Sequence, residues 1–389
     1  MTSMRVAMIG YGFMGAAHSQ GWRVAPRIFD LPAFPEQALI VGRHADAVAA
    51  AGEKWGWAES ATDWREAIQR DDIDIIDIVT PGDSHAEIAI AALDAGKHVI
   101  CEKPLSNTVA EAEAMAAAAE RALARGVYAM TGYTYRRVPA ATFARDLVAA
   151  GKLGTINQVR ASYRQDWLVD SSVPLAWRLQ KEYAGSGALG DIAAHAIDLA
   201  QFITGLKLTG VSGTLDTIIR ERPVLESTSG LGGVGGTETG TVTVDDVAMF
   251  TGRFDSGILG SFEATRFATG RKNALCVEIS GSEGAIAFDL EDLNSLQVYD
   301  RTAPDTLQGF TKVYVTEPGH PYVGSWWPAG HMLGYEHGFV HQAKDFVESI
   351  VAGEQPTPSF ADGLQVQRVL GAVEASAGNG SAWTSIPVS

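Results

Sequence analysis

The stretch GALGDIAAHAIDLA, residues 187–200, carries Asp191, His195 and Asp198 at spacing i, i+4 and i+7. On a helix these positions share one face, so two carboxylates flank one imidazole. Histidine titrates near neutral pH, which suits a general base that takes a proton from a hydroxyl. Taken alone, the same stretch is explained by a helix-capping aspartate and a histidine satisfied in the core. Chemistry elsewhere in the chain must tip the balance.

Lys103 is the second reactive residue. It stands in CEKP, directly after the apolar run 98–101, and Pro104 fixes the direction of the chain around it. A lysine that merely starts a helix is the competing reading. A third signal precedes both: in VAMIGYGFMG, Gly10, Gly12 and Gly15 form G-x-G-x-x-G after an apolar strand and before a helical pattern. There the first glycine permits a tight turn, the second lets backbone approach a pyrophosphate, and the third lets helix pack on strand. Phe13 and Met14 lie inside this turn, at the helix N-terminus that attracts the anion. The second strand ends in Gly42-Arg43 where an acidic residue would grip a ribose 2′-hydroxyl, so Arg43 is a candidate cofactor contact and NAD against NADP stays open on these residues. Thr80, Pro81 and His85 of TPGDSH, with Glu102 and Lys103, occupy two further strand ends where a nicotinamide would lie.

The elements that must hold these residues are legible as patterns. Apolar runs at 5–9, 39–41, 73–79, 98–101 and 127–131 alternate with helical patterns at 14–24, 45–55, 85–95 and 109–124. Strands apolar on both faces and separated by helices imply a doubly wound parallel sheet, an α/β Rossmann domain over 1–135. After that the pattern changes to alternation at 156–163, 242–250, 258–267 and 275–279, with helices expected at 140–150, 189–203 and 338–351. Residues 136–389 thus read as an α+β domain on a largely antiparallel open sheet. Glycine-rich residues 227–240 read as a mobile hairpin or surface loop.

Composition narrows the partners. A net charge of −16 repels phosphate backbones and anionic lipid, so nucleic acid and membrane surfaces are not expected partners. The N-terminal MTSMRVAMIGYG lacks the features of a signal peptide and no apolar run is long enough to span a bilayer, so a cytoplasmic location is expected. Cys101 and Cys276 read as small buried hydrophobes rather than a disulfide framework. Glu336, His337 and His341 imitate a zinc helix, but the glutamate precedes the histidine pair and no third ligand is evident, so no metal is expected.

The ordered set of G-x-G-x-x-G from Gly10, E-K-P at 102–104, Tyr135-Arg136-Arg137 and G-D-x-x-x-H at 190–195 resembles the glucose-fructose oxidoreductase / inositol dehydrogenase family, Gfo/Idh/MocA, over essentially the whole chain. The resemblance implies a catalytic group of Lys103, Asp191 and His195. Lys103 would hold the reacting hydroxyl, His195 would be general acid/base, and Asp191 would hydrogen-bond substrate. It implies NAD as cofactor and a homo-oligomer, tetramer or dimer. YRQDW at 163–167, LAWRLQK at 175–181 and WWPAGHMLGYEH at 326–337 resemble members that oxidise the C3 hydroxyl of an anhydro-sugar, with myo- or scyllo-inositol dehydrogenases as the runner-up. Thr134, where many members have asparagine, and Gly42-Arg43 depart from the common pattern. A neutral sugar or polyol calls for aromatic faces and convergent donors, and Tyr135, Gln165, Trp167, Arg178, His331 and Tyr335 are the candidates beside the catalytic group. A nucleotide sensor without chemistry is the alternative from another class, and it would have no use for Lys103, Asp191 and His195.

Overall fold

Runs of Val, Ile and Ala with no polar alternation can bury every residue only in strands covered on both faces. The computed structural model describes residues 2–229 and 232–387. It opens with β1 (Thr2–Ile9), α1 (Phe13–Ile28), β2 (Ala33–Val41), α2 (Ala45–Trp55), β3 (Glu59–Ala61), α3 (Trp64–Gln69) and β4 (Ile75–Ile78). Then come α4 (His85–Asp94), β5 (His98–Cys101), α5 (Val109–Leu123) and β6 (Ala129–Thr131). The six strands are parallel in the order β3-β2-β1-β4-β5-β6. The order reverses between β1 and β4, so the carboxyl ends of those two strands flank the crevice where a doubly wound sheet binds ligands. All of β4 is buried, as this packing demands. The short β3 and α3 escape a sequence reading because neither holds two full periods of its pattern.

The competing reading of Lys103, a lysine that merely starts a helix, does not hold. Pro104 does not open a helix. The following helix, α5, starts only at Val109, where Thr108 and Glu111 make a reciprocal capping box. Residues 102–107 are therefore a turn at a strand end, which leaves Lys103 available for a role other than starting a helix.

The second unit contains α6 (Pro139–Ala149), β7 (Ile156–Arg164), α7 (Lys181–Ala184), α8 (Ala194–Thr204), β8 (Leu208–Asp216), β9 (Glu221–Ser229) and β10 (Gly232–Thr241). It continues through β11 (Val247–Phe254), β12 (Leu259–Thr265), β13 (Ala274–Gly281), β14 (Gly284–Asp289), β15 (Ser295–Asp300) and β16 (Thr311–Tyr314). The chain ends with α9 (His337–Ala352), α10 (Phe360–Gly378) and β17 (Thr384–Ser385). Nine strands form one sheet in the order β16-β15-β14-β13-β7-β12-β11-β8-β17. Only β7 and β12 pair in parallel, so the sheet is largely antiparallel. α8 packs on β7, β12 and β13. In β11, Met249, Thr251 and Arg253 are exposed while Ala248, Phe250 and Phe254 are buried, the alternation of a sheet covered on one face.

The glycine-rich stretch is mostly strand. β9 and β10 form a separate antiparallel hairpin whose residues 230–231 lie outside the described ones. Its glycines make room: a Cβ on Gly235 would stand 2.6 Å from Pro223, and one on Gly240 2.6 Å from Leu175. The domain boundary also needs a correction. The chain divides into 1–134 with 335–367, and 135–334 with 368–389, so residues 335–367 belong to the first unit rather than the second. α9 packs closely on α1 because Gly21 has no side chain; a Cβ there would come within 2.7 Å of the Phe339 carbonyl. The segment after α9 then satisfies the edge strand β6, with Thr131 N–H donating to Pro358 O at 2.8 Å and Gln355 Nε2 to Ala129 O at 2.7 Å. Among the described residues, no helix is long and apolar enough to cross a membrane.

Candidate functional site

The glycine turn between β1 and α1 has a distinct constraint at each position. Gly10 has φ +114°, a conformation L side chains rarely adopt, and a Cβ there would meet Val79 at 3.0 Å. A Cβ on Gly15 would stand 2.8 Å from Gly10 O, so the close approach of α1 to the turn requires glycine. Gly12 has nothing within 4 Å of where its Cβ would be. That open space lies at the N-cap of a helix with no side-chain cap and no acid in its first turn, which fits a pyrophosphate. Phe13 is 48 % exposed and its ring stacks on Tyr335 at 6.3 Å; Met14 beside it is half-buried. At the end of β2, a Cβ on Gly42 would strike the Tyr11 ring at 2.1 Å, and Arg43 is exposed with no carboxylate beside it in sequence.

Two loops at the carboxyl ends of β4 and β5 are tied together by His85. It is buried, with Nε2 2.9 Å from Thr80 O and Nδ1 3.1 Å from Pro104 O. This places His85 as a brace behind the loops rather than on their surface, a correction to its expected cofactor contact. Thr80, Pro81 and Lys103 are half-buried, and the Thr80 hydroxyl accepts from Ser84 Oγ at 2.7 Å. Glu102 is buried, and its carboxylate accepts the Lys103 N–H at 3.3 Å while facing His18. That partly answers why an acid precedes the lysine: it faces inward.

In the second unit, Asp191 lies in a π-helical turn, Leu189–Ala193, that runs directly into α8. Asp245 holds the start of this turn, accepting Gly187 N–H at 2.7 Å and Leu189 N–H at 2.8 Å, while burial pushes its own carboxyl pKa up. Gly187 is required because a Cβ would stand 1.7 Å from Asp245 O. Between 189 and 200 only Asp191 and His195 are half-exposed; every other residue is buried. Asp198 is corrected by this geometry. It is 2 % exposed and takes a bidentate grip from Arg136, Nε at 2.9 Å and Nη2 at 2.5 Å, so it is a structural carboxylate.

Around His195 the side chains form a connected set. The Tyr135 and Tyr163 rings lie 4.6 and 5.9 Å from the imidazole, and their hydroxyls are 2.9 Å apart. Tyr163 Oη donates to Asn273 Oδ1 at 2.6 Å, Gln165 Nε2 donates to the same oxygen at 2.8 Å, and Trp167 Nε1 donates to Gln165 Oε1 at 2.9 Å. Arg266, fully buried, lies beneath Trp167 at 5.6 Å and 3.8 Å from Asp191. Burial holds the Arg178 guanidinium below its usual range, Asp191 opposing the shift and Arg266 adding to it. Asp191, His195, Gln165, Trp167 and Arg178 are thus half-exposed groups resting on a buried polar layer, suited to donors, acceptors and one aromatic face for a neutral polyol.

Other expected residues make contacts of their own. His331 is exposed, its Nδ1–H donating to Pro328 O at 2.7 Å in a local turn. Tyr335 belongs to the first unit, on Phe13. His341 is fully buried with its ring against Phe29, and among the described residues no group of three His, Cys, Asp or Glu could hold a metal ion. Sequence reasoning missed His18, Asp77, Tyr163, Asn273 and Arg266. Asp77 had a readable signal, an acid inside the apolar run 73–79.

Comparisons with known proteins agree with both units. A family model described as "Oxidoreductase family, NAD-binding Rossmann fold" matches residues 4–130, and one described as "GFO/IDH/MocA C-terminal domain" matches 142–287. A levoglucosan dehydrogenase of Pseudarthrobacter phenanthrenivorans is 42 % identical over 392 residues, covering 100 % of this chain and 99 % of its own. The crystal structure of an oxidoreductase domain protein from Kribbella flavida is 59 % identical with TM-score 0.95, covering 100 % of both chains. A levoglucosan dehydrogenase in complex with NADH and levoglucosan is 41 % identical with TM-score 0.93, covering 99 % of this chain and 100 % of that one. The glycine turn, the six-stranded parallel sheet, the nine-stranded sheet and these full-length similarities together make the chain a member of the Gfo/Idh/MocA family of oxidoreductases, with an NAD-binding Rossmann domain at its start.

Proposed function

We propose that the protein is an NAD-dependent dehydrogenase that oxidises the C3 hydroxyl of levoglucosan to the 3-keto sugar. The observation that carries this reading is the half-exposed pair Asp191 and His195 beside Gln165, Trp167 and Arg178, in a chain similar end to end to levoglucosan dehydrogenases. The nicotinamide, when bound, supplies the hydride acceptor. The turn from Gly10 to Gly15, with Phe13 and Met14, would hold its pyrophosphate; Arg43 would flank the adenosine half, and Thr80, Pro81 and Lys103 the nicotinamide half.

His195 takes the proton of the reacting hydroxyl, its ring held in place by Tyr135 and Tyr163. Lys103 would contribute a compact ammonium that stabilises negative charge developing on the substrate as the hydride departs. Asp191 accepts a hydrogen bond from a sugar hydroxyl, its carboxylate balanced by Arg266. Trp167 offers a flat apolar face, and Gln165 and Arg178 offer the polar contacts that discriminate one ring hydroxyl from another. Tyr335 and His331 belong to the same proposal as substrate contacts. The exposed face of the nine-stranded sheet supports a homo-oligomer, dimer or tetramer, and dependence on NAD supports a cytoplasmic location.

The test is formation of reduced cofactor from levoglucosan, myo-inositol, scyllo-inositol and glucose, each with NAD and with NADP. The highest kcat/KM is expected for levoglucosan with NAD. An inositol in first place would transfer the assignment to inositol dehydrogenase, and cofactor binding without turnover of any polyol would make the protein a sensor.

A further inference from the structure

One imidazole and two carboxylates are buried together inside the first unit. His18 Nδ1 lies 3.0 Å from both oxygens of Asp77, and its Nε2 lies 3.1 Å from Glu102 Oε1. His18, Asp77 and Glu102 are 3 %, 0 % and 4 % exposed. Trp22 Nε1 donates to Asp77 Oδ2 at 2.7 Å, and the Phe339 ring lies 5.3 Å from the imidazole. The second Glu102 oxygen accepts the backbone N–H of Lys103.

Proton inventory decides the state of this cluster. A neutral imidazole has one N–H and one lone pair, so with a carboxylate at each nitrogen it would aim a lone pair at an oxygen on one side. That oxygen would then need a proton of its own. An imidazolium donates at both nitrogens and cancels one of two carboxylate charges that burial would otherwise set against each other. Burial alone would lower the His18 pKa, but Asp77 and then Glu102 outweigh it and raise the value from 6.5 to about 10.

We infer that His18 is a protonated positioning residue for Lys103: its imidazolium, anchored on Asp77, grips Glu102 and so fixes the backbone from which Lys103 projects. The role given to Lys103 rests on the proposed function; the protonation of His18 does not. The ring joins three elements, α1 through His18, β4 through Asp77 and the end of β5 through Glu102. His85 restrains the other side of Lys103 through Pro104 O. Without His18, Glu102 loses a buried donor and the carboxylate either protonates or turns away, releasing the Lys103 N–H.

Neutron diffraction from crystals of the unmodified protein in deuterated buffer at pH 8 tests the protonation directly, since an ordinary histidine is neutral there. Deuterons on both His18 nitrogens and none on Asp77 or Glu102 are expected; a singly deuterated ring beside a deuterated carboxyl overturns the inference. The positioning role is tested with His18→Asn, expected to lower kcat by about 10–100-fold, the scale of a displaced catalytic group. NAD affinity, followed by fluorescence quenching, should stay within about threefold, because the pyrophosphate turn precedes His18. The double variant His18→Asn/Glu102→Gln should regain part of the lost kcat, since a neutral amide accepts the Lys103 N–H without needing a cation. Parallel loss of kcat and NAD affinity with no recovery in the double variant would make His18 a structural residue only. If no sugar is turned over at all, the proposed function fails and the diffraction result still decides the protonation.

Discussion

Arg266 Nη1 lies 3.8 Å from Asp191 Oδ2, in a side chain with no exposed surface, and the same guanidinium lies 3.9 Å from Asp246 and 5.6 Å from the Trp167 ring centroid. One buried cation therefore serves a half-exposed carboxylate, a buried carboxylate and the aromatic face beside them. Arg266→Met leaves Asp191 without this counter-charge and removes one of two donors to the Asp245 carbonyl, the Ala188 N–H remaining. Stability should fall by about 2 kcal/mol, read by urea denaturation, and the sugar KM should rise while NAD affinity is unchanged. An unchanged KM would remove Arg266 from the substrate side.

Asp198 and Asp191 share a helix face in sequence but should separate in experiment. Asp198→Asn weakens the buried Arg136 pair and should cost about 3 kcal/mol of stability while the folded protein keeps its kcat. Asp191→Asn should do the opposite, with stability nearly unchanged and kcat/KM strongly reduced. Steady-state kinetics beside denaturation curves distinguishes them, and equal kinetic losses would contradict the assignment.

His195→Ala should lower kcat by about 10²–10⁴-fold, the range for losing a general base, with NAD affinity unaffected. Lys103→Ala should be similarly impaired. Lys103→Arg should not restore the rate, because a planar fork cannot stand in for a compact ammonium. Wild-type turnover in either alanine variant would exclude that residue from the chemistry.

Gly12→Ala and Gly15→Ala provide a paired test of the turn. A methyl at Gly12 enters open space, so the variant should unfold at the native temperature yet lose NAD affinity by about tenfold or more, the new atom standing where backbone must approach phosphate. A methyl at Gly15 meets Gly10 O at 2.8 Å and should destabilise the fold by about 1–3 kcal/mol. Calorimetry and cofactor titration read the two effects separately.

The His18 cluster also makes stability depend on pH in a stated direction. Its pKa is raised in the folded chain to about 10, against 6.5 when unfolded, so the folded state holds the proton more tightly. Asp77 and Glu102 supply the charges facing the ring, and Phe339 and Trp22 bring none. The stability advantage of the native chain over His18→Asn should be fully present below about pH 6.5 and shrink as pH rises towards 10. Denaturation midpoints for both proteins at pH 6, 8 and 10 check this; a constant or growing difference contradicts it.

Several elements were legible because local periodicity outlasts their ends. The glycine turn, α2 and β5 need only neighbours in sequence to be recognised, and motif and spacing were enough to single out Gly10, Lys103 and His195 as candidates. β3 and α3 were not, being shorter than their own repeat, and residues 335–367 fell in the wrong domain because nothing local records that Gly21 leaves room for α9. Residues 227–240 read as a mobile hairpin or surface loop, and glycine content could not say which; in the hairpin that β9 and β10 form, those glycines admit Pro223 and Leu175.

By itself the amino-acid order determined the parallel sheet, the dinucleotide turn, the family, and the identity of the ammonium, carboxylate and imidazole proposed for the chemistry. Tertiary structure decided which acid is which. Asp191 stays half-exposed beside Arg266, Asp198 disappears into Arg136, and Asp77 and Glu102 close on His18. The physical reason is that a carboxylate's role follows from its solvent and its partner cation, and those partners lie 59 residues away in the chain for Asp77 with His18, 62 for Asp198 with Arg136 and 84 for Glu102 with His18. No periodicity or spacing rule carries that distance; only the folded core brings the groups within reach.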